Sequence, residues 1–150
     1  MINAQQSTDN EIVIREEQQA QHVKQRGIKA MNLTLARILR ENEYRRLLDF
    51  LADNENFKNI QHINEQHLRS LIEKMTDMLS YKAEAYIEES LPWIKTLLIF
   101  EGLVSVQAAE DLHYVIRTVL GADRKRKTYQ HQTVEDLESL LGQLESVIQG

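Results

Sequence analysis

Cysteine is absent from the 150-residue sequence, and proline occurs once and glycine five times. Without cysteine there are no disulfides, thiolate metal ligands or cysteine nucleophiles, which fits a reducing compartment. So few prolines and glycines leave little of the turn chemistry that a fold with many strands requires. The abundant residues are instead Leu, Glu, Gln, Arg, Lys and Ala, which favour the α-helix. The composition therefore predicts an all-α fold.

A net positive charge and a long apolar run are also missing. The net charge is −5, which argues against a whole surface that binds nucleic acid non-specifically but leaves one local basic contact open. The longest stretch dominated by apolar residues, 91–106, is interrupted by Lys95 and Glu101. It is too short and too charged to span a bilayer, so it predicts a core helix and no membrane partner.

The sequence has none of the short motifs that carry catalysis or cofactor binding. It contains no phosphate-binding or dinucleotide-binding glycine loop, no G-x-S-x-G turn, no H-E-x-x-H and no EF-hand loop. His62 and His67 lie five residues apart, a spacing that does not place two ligands on one helical face. We therefore predict a non-enzymatic protein with no catalytic residue, no metal site, no cofactor and no small-molecule substrate.

Apolar residues recur at three- and four-residue spacing from Ile28 onward, which indicates amphipathic helices. The pattern predicts a single multi-helix bundle of about six helices over residues 28–150, the first two forming a hairpin of residues 28–40 and 43–52. Residues 1–27 are rich in Gln, Asn and Glu and carry only a weak apolar stripe. They predict a flexible polar N-terminal arm, either disordered or loosely helical.

Local signals predict where several of the helices begin and end. The polar stretch 53–59 predicts a loop, and Asn64 is a suitable N-cap for the helix that follows. Pro92 lies inside an apolar pattern, so we expect a kink or a fresh helix start there. Gly121 is placed as the residue after a helix C-terminus, followed by a polar connection, and residues 133–136 resemble a capping box that opens the last helix.

Four successive cations, Arg124, Lys125, Arg126 and Lys127, stand out in an acidic chain. They are candidates for a contact with phosphate or RNA, or for part of a nuclear-import signal. The competing interpretation is a solvated loop whose charges favour the C-terminal end of the preceding helix. The second interpretation is favoured, because four cations alone are a weak signal.

Two further sets of apolar residues are assigned from the helical pattern. The aromatic residues Trp93, Phe100 and Tyr86 are expected to pack in the core rather than to stack on bases. The last two helices are expected to share their surfaces with a partner. The residues predicted for that partner interface are Leu112, Val115, Val119, Leu137, Leu141 and Leu144.

The order of motifs over residues 30–148 resembles a known family. Residues 60–79 combine I-x-x-I with a spaced series of leucines, residues 93–98 read W-I-K-x-L-L, and residues 140–144 read L-L-G-Q-L. This series resembles the C-terminal helical domain of the WD-repeat proteins in the UTP-A and UTP-B complexes of the small-subunit processome. Asn64 stands where that family often has proline, and Gln143 where it has a cation.

The resemblance implies a scaffold that assembles by helix-to-helix contacts with sister helical domains of WD-repeat proteins in a multi-subunit complex. Such domains have no enzymatic role and support pre-rRNA processing and ribosome biogenesis in the nucleolus, within the nucleus. Residues 85–98 also resemble the helical domain of the katanin regulatory subunit. That alternative implies binding to a microtubule-severing ATPase, with the basic run facing acidic tubulin tails. An unrelated helical adaptor and an enzyme with a dispersed site stay open as well.

Overall fold

The computed structural model describes the backbone of residues 4–150 and the side chains of residues 9–150. The described residues are mostly helical and include no β-strand, which confirms the predicted all-α bundle. It has seven α-helices rather than about six. They are α1 (Ala4–Leu39), α2 (Arg45–Ala52), α3 (Asn54–Lys58), α4 (Glu65–Leu79), α5 (Glu84–Ile99), α6 (Val106–Arg126) and α7 (His131–Gln149), with a 3-10 turn at Ile60–His62.

The helices enclose one hydrophobic core. Helix α4 packs against α1, α5 and α6, while α5 also packs against α2 and α7. Helices α6 and α7 form an antiparallel pair, since His113 near the start of α6 lies beside Glu145 near the end of α7. Trp93 fills the centre of the α2–α5 contact between the rings of Phe50 and Phe57, whose centroids lie 5.7 and 5.5 Å from its own.

The aromatic prediction is confirmed for Trp93, which is buried. Tyr86 and Phe100 are partly buried and pack against the same core. The N-cap prediction is confirmed too. The Asn64 side-chain oxygen accepts hydrogen bonds from the backbone N–H groups of Gln66 and His67, at 2.9 and 3.3 Å.

Helix α1 crosses the predicted boundary between arm and bundle. Its backbone is helical from Ala4 to Leu39 without interruption, but the side chains of residues 9–27 are all exposed. Burial begins at Ile28 and is complete at Met31, Leu35 and Ile38, which face the core. The sequence boundary therefore marks where packing begins rather than where the helix begins. The predicted flexibility stays a prediction, and for residues 1–3 the predicted arm lies outside the described residues.

The loop predicted over residues 53–59 is wrong. A one-turn helix, α3, forms there because the Asp53 side chain accepts a hydrogen bond from the Glu55 N–H at 2.9 Å and caps it.

The fresh helix start predicted at Pro92 is also wrong, since α5 runs through that residue as one helix. Pro92 is exposed, so the Glu88 carbonyl that loses its helical donor faces water instead of the core.

The predicted end of α6 at Gly121 is wrong. The helix continues to Arg126, and the left-handed residue that ends it is Lys127, with φ of 53°. A glycine inside a helix costs only about 1 kcal/mol relative to alanine, which packing of α6 along α7 outweighs. The predicted polar connection of residues 122–132 therefore shrinks to residues 127–130.

The capping box predicted at residues 133–136 is wrong as well. Helix α7 begins at His131 with Gln130 as its N-cap residue, so Thr133 lies inside the first turn and is buried. Asp136, expected as the reciprocal cap, instead pairs with Lys95 of α5 across 3.3 Å between Nζ and Oδ1. The Asp136 side chain, which the local pattern assigned to capping, therefore makes a tertiary contact instead.

Ser90 is an exception to the rule that polar groups buried in a core are hydrogen-bonded, and this exception can be tested. Its hydroxyl is fully buried on α5 and has no hydrogen-bond partner. We expect Ser90→Ala to raise the free energy of unfolding by about 0.5–2 kcal/mol, because it removes an unsatisfied polar group and improves helix propensity. Urea denaturation followed by circular dichroism measures the change. Ser139→Ala, at an exposed position of α7, is the control and should gain only the propensity term, about 0.5 kcal/mol.

Candidate docking groove

A groove of about 590 Å³ runs between α4 and the first half of α6. Its floor is apolar and its rim is polar. The α4 side contributes Ile72, Glu73, Thr76 and Asp77, and the α6 side contributes Ser105, Gln107, Ala108, Asp111, Tyr114 and Val115. Ile72 is buried, whereas Val115 and Ala108 are half-buried and open to the groove.

The groove is acidic. Its lining contains three carboxylates and no lysine or arginine. Glu73 and Asp77 are one helical turn apart on α4, so they lie on the same face. Asp111 lies across from them on α6, where it accepts a hydrogen bond of 3.0 Å from the Gln107 side-chain amide. Tyr114 stands at the rim with 64% of its surface exposed.

One end of the groove is held by Arg69 of α4. Its guanidinium donates to the backbone carbonyl of Leu103 at 2.8 Å and to that of Gly102 at 3.3 Å. It also donates to Glu65, 2.9 Å away on its own helix. These bonds tie the loop before α6 to α4, and the Ser105 hydroxyl then caps α6 by accepting from the Ala108 N–H. Bonds within the chain therefore hold the two walls relative to each other.

The arrangement of side chains in the groove suits binding of a partner better than catalysis. Acceptor groups from two rigid helices surround half-buried apolar side chains, which is the pattern of a groove that receives an amphipathic helix. No group of three or more His, Asp or Glu side chains able to hold a metal ion occurs among the described residues. The sequence reasoning missed this site, because its carboxylates come from helices more than thirty residues apart and only the Glu73–Asp77 spacing was visible locally.

The basic run lies at the far end of the α6–α7 pair. Arg124, Lys125 and Arg126 form the last turn of α6 and Lys127 is its C-cap residue, so the predicted loop is mostly helix. All four side chains are exposed, and the run stabilises the negative end of the helix dipole. The solvated interpretation and a phosphate contact are both compatible with this position.

Asp123 holds the turn that presents the basic run. The residue is 8% exposed, and its Oδ1 accepts hydrogen bonds from the N–H groups of Thr128 and Tyr129, at 3.0 and 2.9 Å, and from the Thr128 hydroxyl at 3.3 Å. The Gln130 N–H donates to Glu84 at 2.7 Å and fastens the turn to α5. An acidic residue inside a basic helix end was the sequence signal that could have identified this role.

Tyr129 also holds this turn in place, since its hydroxyl donates a hydrogen bond to the Lys82 carbonyl. Burial raises the pKa of Tyr129 above its usual value, and the nearby carboxylates of Asp123 and Glu84 raise it further, against a smaller lowering by Arg126. The stability that comes with this raised pKa is complete below the unfolded tyrosine pKa of about 10. It is lost as the pH rises through the higher folded-state value.

The structure corrects the predicted partner interface. Four of its six residues are buried in the chain's own core and are not accessible to a partner: Leu112, Val119, Leu137 and Leu144. Val115 and Leu141 are half-buried, and Val115 is the one that lines the groove. A helical stripe in the sequence did not separate core from interface, because α6 and α7 bury most of their apolar surface against each other and against α4 and α5.

Comparison of the chain with models of protein families, with curated proteins and with solved structures finds no match. Along the described residues, none of the helices combines the length and the apolar character needed to cross a membrane.

Proposed function

We propose that this chain is a non-enzymatic protein-interaction module that binds a basic, amphipathic helix of a partner in the α4–α6 groove. The observation that carries the proposal is the set of three carboxylates, Glu73, Asp77 and Asp111, around a half-buried apolar floor with no cation in the lining. A groove of this kind attracts a positively charged segment and orients it, while the apolar floor supplies binding energy.

The expected partner segment follows from the spacing of the groove carboxylates. Glu73 and Asp77 are separated by one turn, so cations spaced four residues apart on a partner helix would meet both. An apolar side chain on the same face would cover Val115 and Ala108. We therefore expect a partner helix with Lys or Arg at four-residue spacing beside an apolar stripe.

The groove is tested by neutralising its carboxylates. Glu73→Gln, Asp77→Asn and Asp111→Asn combined should weaken partner binding by about threefold to one-hundredfold, since each exposed ion pair contributes about 0.2–1 kcal/mol. Affinity capture from cell extract, with the bound fraction measured over a range of bait concentrations, gives the change. The matched control neutralises three exposed carboxylates elsewhere, with Glu43→Gln, Glu88→Gln and Glu138→Gln, and should bind as the unchanged protein does. Equal binding by both triple variants would reject the groove.

For the cellular role we propose assembly of a small-subunit processome subcomplex in pre-rRNA processing, in the nucleolus. The support is the resemblance of residues 60–79, 93–98 and 140–144 to the helical domain of the UTP-A and UTP-B WD-repeat proteins. The proposed partners are the sister helical domains of such proteins. Capture of processome subunits by the full chain, identified by mass spectrometry, is the expected result. Capture of a microtubule-severing ATPase alone would overturn this role in favour of the katanin-type alternative.

The basic run is a separate surface and gives a separate prediction. Its exposed cations lie near the end of α6 opposite the groove, so replacing Arg124, Lys125, Arg126 and Lys127 with glutamine should leave groove binding unchanged. A local contact with RNA phosphates would be lost in this variant, and association with RNA at low salt would fall with it. If RNA association and nuclear import are unchanged in this variant, the basic run is only a solvated helix end.

A further inference from the structure

The first half of α1 is a helix without a covering surface. Over residues 9–27 every side chain is exposed, although the helix extends for about 29 Å at 1.5 Å per residue. Four large apolar side chains are exposed in this half: Ile12, Val13, Ile14 and Val23. Most helical stability in proteins comes from packing of an apolar face rather than from the helix propensity of the residues. This half of α1 therefore has the properties of a helix that is covered by a partner.

The charges along this half of α1 are divided by sign. Residues 11–17 carry Glu11, Glu16 and Glu17 against Arg15, a net charge of −2. Residues 24–29 carry three cations, Lys24, Arg26 and Lys29, and no acid. None of these charged groups has an ion-pair partner within the described chain. An identical helix that runs the opposite way would place each charged segment beside its opposite, whereas a parallel one would place like beside like.

A seam for such a pair runs along the exposed face. Its positions alternate by four and three residues, which is the heptad spacing of a two-helix coiled coil. All of its members are exposed, including Leu33 at 60%. They are Ile12, Glu16, Gln19, Val23, Arg26, Ala30 and Leu33.

We propose that residues 9–33 of α1 pair with the same segment of a second copy of this chain in an antiparallel two-helix coiled coil. A two-fold axis beside residue 21 places Glu16 opposite Arg26 of the other copy and Ile12 opposite Ala30. The same register places Gln19 opposite Val23. The surface is distinct from the α4–α6 groove, because the seam faces away from the core side of α1 that packs on α4.

Charge-swap variants of the full chain test the pairing. The unchanged protein should sediment at equilibrium as a dimer, at about twice the 17.5 kDa of one chain. Glu16→Lys with Glu17→Lys should give a monomer, and so should Lys24→Glu with Arg26→Glu, because each places like charges along the seam. An equimolar mixture of the two variants should recover the dimer mass. Glu88→Lys with Glu138→Lys, at exposed positions outside α1, should remain dimeric.

Orientation is tested separately, and the absence of cysteine makes the labelling simple. A nitroxide on Thr34→Cys should be separated from its counterpart by about 39 Å in the antiparallel register, from 1.5 Å per residue. Pulsed electron paramagnetic resonance measures this distance. A monomer at all concentrations, charge-swap variants that stay dimeric, a mixture that fails to re-form the dimer, or a short nitroxide distance would each overturn the proposal. Circular dichroism on each variant establishes that the bundle itself is folded.

Discussion

Trp93→Ala is expected to lower the free energy of unfolding by about 3–5 kcal/mol, the range for removing a large aromatic side chain from a packed core. Trp93 is 1% exposed and packs between Phe50 and Phe57, so it joins α5 to α2 and α3. Its indole N–H donates to the Leu51 carbonyl at 2.8 Å. Alanine would leave a cavity among the aromatic rings and an unpaired carbonyl at the same time.

The measurement for Trp93 is urea denaturation followed by far-ultraviolet circular dichroism, because the variant has no tryptophan left to fluoresce. Trp93→Phe is the matched control. It keeps an aromatic ring and loses the N–H, so we expect a smaller loss, about 1–3 kcal/mol. A loss below 1 kcal/mol for Trp93→Ala would mean that the aromatic cluster does not hold the first helices to α5.

Asp123→Ala is expected to cost about 2–3 kcal/mol, because it removes an acceptor of three hydrogen bonds from a site that is 8% exposed. The N–H groups of Thr128 and Tyr129 would lose their partner, and the turn between α6 and α7 would lose its anchor. At about 2–4 °C per kcal/mol for a chain of this size, the melting temperature should fall by roughly 4–12 °C.

Two controls separate the role of Asp123 from a general effect of removing a carboxylate. Asp123→Asn keeps the side-chain oxygen that accepts the three bonds, so its melting temperature should lie between those of the unchanged protein and Asp123→Ala. Asp49→Ala, at an exposed position of α2, should change stability by no more than about 0.5 kcal/mol. A drop for Asp49→Ala as large as that for Asp123→Ala would contradict the anchoring role.

The sequence predicts helices well where their signals are local. Helix α4 has an N-cap at Asn64 and apolar residues at three- and four-residue spacing, and both features act within the helix itself. The hairpin of α1 and α2 and the burial of Trp93 follow from similar patterns. The N-cap and the helical periodicity hold because neighbouring residues decide them, whereas the burial of Trp93 also depends on Phe50 and Phe57.

The failed predictions at Gly121 and at residues 133–136 have different causes. Gly121 does not end α6, because the helix packs along α7 beyond that point and the turn that follows is held by the buried side chain of Asp123. Asp136 does not cap α7, because Lys95 pairs with it. Asp123 did have a local signal, since it is an acidic residue inside a basic helix end. The pairing of Asp136 with Lys95 has no signature in the local sequence.

The candidate groove was beyond the sequence for the same reason. Glu73 and Asp111 face each other only because α4 and α6 pack side by side. The periodicity of an amphipathic helix does not determine which other helices it packs against. Leu112 and Leu144 show the opposite error. The helical stripes that contain them predicted a partner interface, but both residues are buried in the core. Burial of each stripe is settled by the whole bundle.

Carboxyl footprinting of the captured complex tests the central claim, that a partner helix occupies the α4–α6 groove. Amine coupling with carbodiimide, read by mass spectrometry, measures the accessibility of each carboxylate in the free chain and in the complex. We predict that labelling of Glu73, Asp77 and Asp111 falls several-fold on binding, while labelling of Glu43, Glu88 and Glu138 stays the same. Unchanged labelling of the three groove carboxylates in a complex that contains the partner would contradict the account.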